Sequence, residues 1–242
     1  MNFLHPSLRL RVNACHWPGV GCVVGLVACT AFALVSALLP AGAYAPLAAA
    51  VACTIATILL TGALHEDALA RFVQSLEHTQ AVPRRPEHAA SFNSHGVIAL
   101  LMALLLKIAL LAVLAADSPA AVLAALFAAH AISRFWPVVL MRLLAYVGDE
   151  ATYDGQRFAS PLDPKSLAIA ALWCIVPLAI ALLVQPPRFA IMGLVFSGMA
   201  MLAMYKLLAR RLGGFDSDAL DATQQACEIA FYLGAAVALG IG

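Results

Sequence analysis

The chain has 242 residues, of which 63% are hydrophobic and 11% charged, and 14 Lys+Arg against 13 Asp+Glu give a net charge of +1. Soluble domains are roughly 45–50% apolar and about 25% charged, so this chain cannot cover a soluble surface. It also reads poorly as a disordered chain, a secreted disulfide scaffold or a nucleic-acid binder, which leaves a polytopic membrane protein.

Residues 1–16 do not read as a signal peptide, because no A-x-A cleavage site follows a short apolar core. A helix needs about 20 apolar residues to cross a bilayer. In chain order the qualifying stretches are 17–39, 41–64, 96–116, 119–143, 166–184, 188–209 and 222–241. The last is the weakest, since Gln224, Gln225 and Glu228 sit in its first turns. The expectation is therefore an all-α, polytopic integral membrane bundle of six to seven transmembrane helices, forming one membrane domain over 1–242. In the first span, Gly21-x-x-x-Gly25 permits close helix packing. The six cysteines show no C-x-x-C spacing and read as small buried hydrophobes.

Tight turns fall around Pro40, Asp117-Ser118 and Gln185-Pro186-Pro187, whereas 65–95, 144–165 and 210–221 read as long polar loops. Seven spans place all the long loops on one side. Eleven of the 14 basic residues lie on or near that side and only Arg188 lies on the other, with Lys107 and Arg134 inside spans. Excess Lys and Arg mark the cytoplasmic face, so the long loops are expected in the cytoplasm and the chain in the cell's inner membrane. Such one-sided polarity suits an enzyme at the membrane surface better than a transporter, which needs polar groups near the midplane and openings on both sides.

Thr61-Gly62-Ala63-Leu64-His65-Glu66-Asp67 places an imidazole and two carboxylates where the second span ends. Carboxylates suit Mg²⁺, bound through one or two of them plus substrate phosphates. His65 suits proton transfer near neutrality. Lys107, near the middle of the third span, is placed to neutralise a substrate charge or to pair with a carboxylate across the bundle. His130 and Arg134 share one helix face with Ser133 between them. Arg134 lies about nine residues, or roughly 14 Å, from the cytoplasmic helix end. An ionisable residue at such depth is a functional candidate by default, and a planar guanidinium suits phosphate oxygens. The alternative is a structural ion pair, for instance with Glu228. Gly213-Gly214-Phe215-Asp216-Ser217-Asp218, ending at Asp221, brings three carboxylates together, with Asp218 the better ligand candidate and Asp221 the expected N-cap of the last helix. No P-loop, G-x-G-x-x-G, H-E-x-x-H or G-x-S-x-G is present.

Together these residues resemble the cobalamin synthase family, the adenosylcobinamide-GDP ribazoletransferases. Trp17-Pro18-Gly19-Val20-Gly21 with Gly25 is similar to the family's F-P-x-x-G-x-x-x-G, and Thr61-Gly62-x-x-His65-Glu66-Asp67 to its T-G-x-x-H-x-D. His130-x-x-Ser133-Arg134 is similar to its H-x-x-S-R, and Gly213-Gly214-x-x-x-Asp218 to its C-terminal G-G-x-T-G-D segment. The sequence departs from the pattern at Ala68 and Ser75 in place of Gly, and at Arg71 and Gln74 in place of Asp. The resemblance implies that a ribazole hydroxyl, of α-ribazole or its 5′-phosphate, attacks the phosphate of adenosylcobinamide-GDP and releases GMP. It also implies that Glu66, Asp67 and Asp218 gather Mg²⁺, that His65 assists proton removal, and that Arg134 holds phosphate. His130, Ser133, Lys107, Gly213 and Gly214 would contribute to substrate binding. A non-catalytic paralog that binds a corrinoid or nucleotide, and a small-molecule transporter, are the alternatives; a homo-oligomer is left open.

Overall fold

A computed structural model describes residues 13–77, 94–148, 158 and 162–240. After a short 3-10 turn at Ala14–His16 come eight helices among the described residues: α1 (Trp17–Leu38), α2 (Ala45–Thr61), α3 (Leu64–Glu77), α4 (Ser94–Asp117), α5 (Pro119–Leu143), α6 (Pro164–Val184), α7 (Pro187–Arg211) and α8 (Ser217–Gly240). Their starts follow local chemistry. Pro119, Pro164 and Pro187 each open a helix, where the missing N–H has no intrahelical partner to lose. Ser118 Oγ accepts from the Ala121 N–H at 3.1 Å to cap α5.

Five helices, α1 (taken with the turn before it), α4, α5, α6 and α7, are long and apolar enough to cross a membrane, and α2 with α3 makes a sixth if the bent pair is counted as one span. This is a multi-pass membrane bundle. The lipid-facing helices leave large side chains such as Leu101, Leu105, Leu172 and Leu183 exposed. By contrast, 72% of the apolar window of α5 is buried, against 22% in α4, α6 and α7. The alanines of α5 at 121, 124, 125, 128, 129 and 131 are all buried and let neighbouring helices approach closely.

Residues 222–240 of the seventh expected span, 222–241, fall within α8, which is not among the helices apolar enough to count as a span by composition. Its polar residues are shielded from lipid. Thr223, Gln224, Gln225 and Glu228 are all buried, because α8 packs against α3, α4, α5 and α7. Three other expectations are corrected. Residues 65–77, expected as the start of a loop, form most of α3, which leaves α2 at 86°. The expected loop 210–221 shortens to 212–216, because α7 runs through Arg211 and α8 starts at Ser217. The cap of α8 is Asp216, whose carboxylate accepts from the Ala219 N–H at 2.8 Å; Asp221 lies inside the helix. Residues 78–93, 149–157 and 159–161 of the other two expected loops lie outside the described residues.

Glycine sets the closest approach of α1 to α5. A Cβ on Gly21 would collide with the His130 carbonyl, and one on Gly25 would lie 3.2 Å from Phe127 Cα. Trp136 Nε1 donates to Ser197 Oγ at 2.7 Å, and Ser197 Oγ donates to the Cys227 carbonyl at 2.9 Å, which ties α5, α7 and α8 together. Gly21→Ala is expected to force α1 and α5 apart and to destabilise by about 1–3 kcal/mol. Thermal unfolding in detergent reads this as a lowered melting temperature; an unchanged midpoint would show that the contact is compliant.

Candidate functional site

The turn between α2 and α3 places the first group of side chains. Gly62 closes α2 in the left-handed conformation at φ 67°, and Ala63 follows at φ 58°. A non-glycine residue there is strained by roughly 1–2 kcal/mol, which the Ala63 N–H offsets in part by donating to the Ile58 carbonyl at 2.9 Å. The chain then re-enters a helix at a steep angle, with His65 and Glu66 turned toward α5 and α8. Both residues, with Lys107 of α4, His130 and Arg134 of α5, and Gln224, Gln225 and Glu228 of α8, line a small cavity.

At the inner end, Glu228 is saturated. Its Oε1 lies 2.7 Å from Lys107 Nζ and accepts from the Tyr232 hydroxyl at 3.1 Å, while its Oε2 lies 3.3 Å from His130 Nδ1. Lys107 is thus paired across the bundle. Arg134 is different. Its guanidinium donates to the His130 carbonyl at 2.8 Å and approaches His130 Nδ1 at 3.4 Å and His65 Nε2 at 3.5 Å. Among the described residues, no carboxylate reaches ion-pair distance of it. The structural pairing of Arg134 with Glu228 does not form, because Lys107 and His130 hold that carboxylate. His65 Nδ1 sits 3.0 Å from Asp221 Oδ1. A carboxylate only accepts, so Nδ1 carries the hydrogen and Nε2 is left to accept from Arg134.

The second group lies outside this cavity. Arg71 reaches from α3 to α8 and donates twice to Asp218, from Nε at 3.0 Å and from a terminal nitrogen at 2.9 Å; its other terminal nitrogen donates to Asp67. The hydrogen bonds to Asp218, together with the charges of Asp218 and Asp67, raise Arg71 above its ordinary value, so it stays charged at every working pH. Glu66 is turned the other way and accepts from Gln225 Nε2 at 2.8 Å through Oε1. Mg²⁺ therefore does not fit the three carboxylates Glu66, Asp67 and Asp218 as they stand. A guanidinium lies between two of them, the third faces another partner, and no group of three or more His, Cys, Asp or Glu side chains suited to a metal occurs among the described residues. Arg71→Ala is expected to leave Asp67 and Asp218 facing each other and to create weak divalent-cation binding. Titration with Mn²⁺ followed by electron paramagnetic resonance checks this: a gain in the variant is expected, whereas tight binding by the unaltered protein that is lost in Asp67→Asn would contradict it.

The remaining expected residues take structural places. Ser133 Oγ is fully buried and donates to the His130 carbonyl at 3.5 Å, inside its own helix. Gly213 adopts φ 69° in the turn before α8, and a Cβ on Gly214 would collide with the Ala145 carbonyl. That turn carries a short parallel bridge, in which the Phe215 N–H donates to the Ala145 carbonyl and the Val147 N–H to the Phe215 carbonyl, both at 2.9 Å. Gln224, Gln225 and Tyr232 were not anticipated as site residues. The signal for the two glutamines is polarity at 224, 225 and 228 in a membrane helix, on the face a bundle must bury; Tyr232 has no such signal.

Fold and cavity define a multi-pass helical membrane protein with a cavity lined by acidic, basic and amide side chains inside its bundle. The sequence matches the cobalamin-5-phosphate synthase family over residues 4–236. The chain belongs to that family. It is 42% identical to an adenosylcobinamide-GDP ribazoletransferase of Polaromonas sp. (strain JS666), across 95% of this chain and 87% of the relative. The protein of the same name from Polaromonas naphthalenivorans is 41% identical, and that from Albidiferax ferrireducens 39%, each across 95% of this chain and 88% of the relative. No solved structure matches.

Proposed function

We propose that the chain joins adenosylcobinamide-GDP to α-ribazole or its 5′-phosphate, giving adenosylcobalamin or its 5′-phosphate with release of GMP. The named activity of its relatives supports this reading. The observation that carries it is Arg134: a guanidinium buried in the bundle, without a carboxylate partner among the described residues, at a cavity that also presents His65 and His130. Leaving a buried charge unpaired is costly, and an anionic substrate group is the counter-charge that the arrangement lacks.

The reaction is a phosphoryl transfer. A ribazole hydroxyl bonds to the phosphorus that carries the cobinamide, the bond from that phosphorus to the GMP oxygen breaks, and GMP departs with its electron pair. Catalysis of this type is mostly positioning and charge stabilisation. Arg134 binds two phosphoryl oxygens through its planar fork and opposes the charge that builds on them. His65, fixed by Asp221, holds Arg134 from one side, and the His130 carbonyl holds it from the other. Lys107, Glu228 and Tyr232 form a neutralised floor that keeps His130 in place. The excess of basic residues near the expected long loops supports a cytoplasmic orientation for this end of the bundle, with the chain in the inner membrane. Purified protein in lipid discs, given both substrates, is expected to yield the cobamide by mass and one GMP per product. Folded protein that binds both substrates and forms no product would overturn the reading.

A further inference from the structure

Three side-chain atoms in the described structure are buried without a hydrogen-bond partner: Glu66 Oε2, Gln224 Nε2 and His130 Nε2. All three residues line the cavity beside Arg134. Buried polar atoms are almost always satisfied, so three orphans around one space mark a place built for a ligand's polar group. Gln225 fixes the geometry by donating to Glu66 Oε1, which leaves Oε2 as the free acceptor. Gln224 makes no hydrogen bond among the described residues, and its Nε2 is the buried donor that lacks an acceptor.

The chemistry of the pair selects its ligand. Glu66 Oε2 needs a donor and Gln224 Nε2 needs an acceptor. A phosphate oxygen would satisfy the amide but be repelled by the carboxylate. An ammonium would satisfy the carboxylate and leave the amide unpaired. A hydroxyl satisfies both at one oxygen atom. We propose that Glu66 and Gln224 form the subsite for the attacking hydroxyl of the ribazole, and that Glu66 takes its proton. This rests on the phosphoryl-transfer reading above, and it gives the proton to Glu66 because both ring nitrogens of His65 are already engaged by Asp221 and Arg134. In the step, the hydroxyl oxygen bonds to the cobinamide-bearing phosphorus as its hydrogen passes to Glu66 Oε2. The phosphorus–oxygen bond to GMP breaks, GMP leaves with the electron pair, and Glu66 later releases the proton to solvent.

Steady-state kinetics on Glu66→Gln, Glu66→Asp and Gln224→Leu test this, with melting curves to show that each variant is folded. Glu66→Gln keeps the shape and is expected to lower kcat by about 10²–10⁴-fold, the usual contribution of a positioned base, with KM for ribazole nearly unchanged. Glu66→Asp keeps a carboxylate and should recover part of that loss. Gln224→Leu should raise KM for ribazole about tenfold or more with a smaller effect on kcat, since one neutral hydrogen bond to the hydroxyl disappears. A ribazole analogue lacking the attacking hydroxyl should bind the unaltered protein and Gln224→Leu equally well. If the unaltered protein turns over and folded Glu66→Gln matches it, or if Gln224→Leu weakens the analogue as much as ribazole, the subsite is wrong while the reaction stands. If the unaltered protein makes no product, the reaction itself is wrong and the subsite falls with it.

Discussion

Arg134→Met is expected to lower turnover by about 10²–10³-fold, the loss seen when one preorganised donor to a developing charge is removed, without lowering the melting temperature by more than a few degrees. The two halves of this expectation come from the same geometry. Arg134 is 5% exposed, and its closest partners are the His130 carbonyl and His65 Nε2 rather than a carboxylate. A charge desolvated in this way without a counter-ion detracts from stability. Replacing it by an apolar side chain of similar length removes hydrogen bonds worth about 1 kcal/mol each and also removes the desolvation penalty. Activity falls while stability holds, the usual signature of a residue kept for function. Arg134→Lys should keep the charge but lose the fork, and so fall between the two. Turnover and melting measured on one preparation check this; a variant that melts much earlier and loses activity only in proportion to unfolded protein would make Arg134 structural.

Lys107 and Glu228 should behave in the opposite way. Both are almost wholly buried, and their ion pair spans α4 and α8 at 2.7 Å. Lys107→Met leaves Glu228 charged with only His130 and Tyr232 facing it, and Glu228→Gln leaves an ammonium without a carboxylate. Each single change is expected to destabilise by about 3–5 kcal/mol, whereas the double change should recover most of the loss, because a neutral pair has no uncompensated buried charge. Melting curves for the two singles and the double form the cycle. Additive losses in the double would show that the two residues stabilise the bundle independently rather than as a pair.

The spans were legible because bilayer solvation writes them into composition. The helices observed at 17–38, 94–117, 119–143, 164–184 and 187–211 match expected spans within a few residues. Legibility failed where tertiary contacts decide. Residues 65–77 read as a polar loop because α3 is amphipathic and short, with its apolar side met by α8 and α4. Asp221 read as a cap because Gln224 follows at the right spacing, but Asp216 starts the helix one turn earlier. At the site, the H-x-x-S-R and T-G-x-x-H patterns pointed to His65, His130 and Arg134, which do meet. The pairing of Arg71 with Asp218, and of Gln225 with Glu66, joins residues 147 and 159 positions apart. No spacing rule reaches that far, so Arg71 was legible as a departure from the family pattern but not as the bridge between two carboxylates.

The most direct measurement is a structure of the protein in lipid discs with adenosylcobinamide-GDP bound. The diphosphate is expected at the mouth of the cavity, with oxygens of the cobinamide-bearing phosphate hydrogen-bonded to the Arg134 guanidinium. Glu66 Oε2 and Gln224 Nε2 should remain open toward the space the ribazole hydroxyl enters. A diphosphate held instead by a metal ion on Asp67 and Asp218, with Arg71 displaced and Arg134 untouched, would contradict this arrangement.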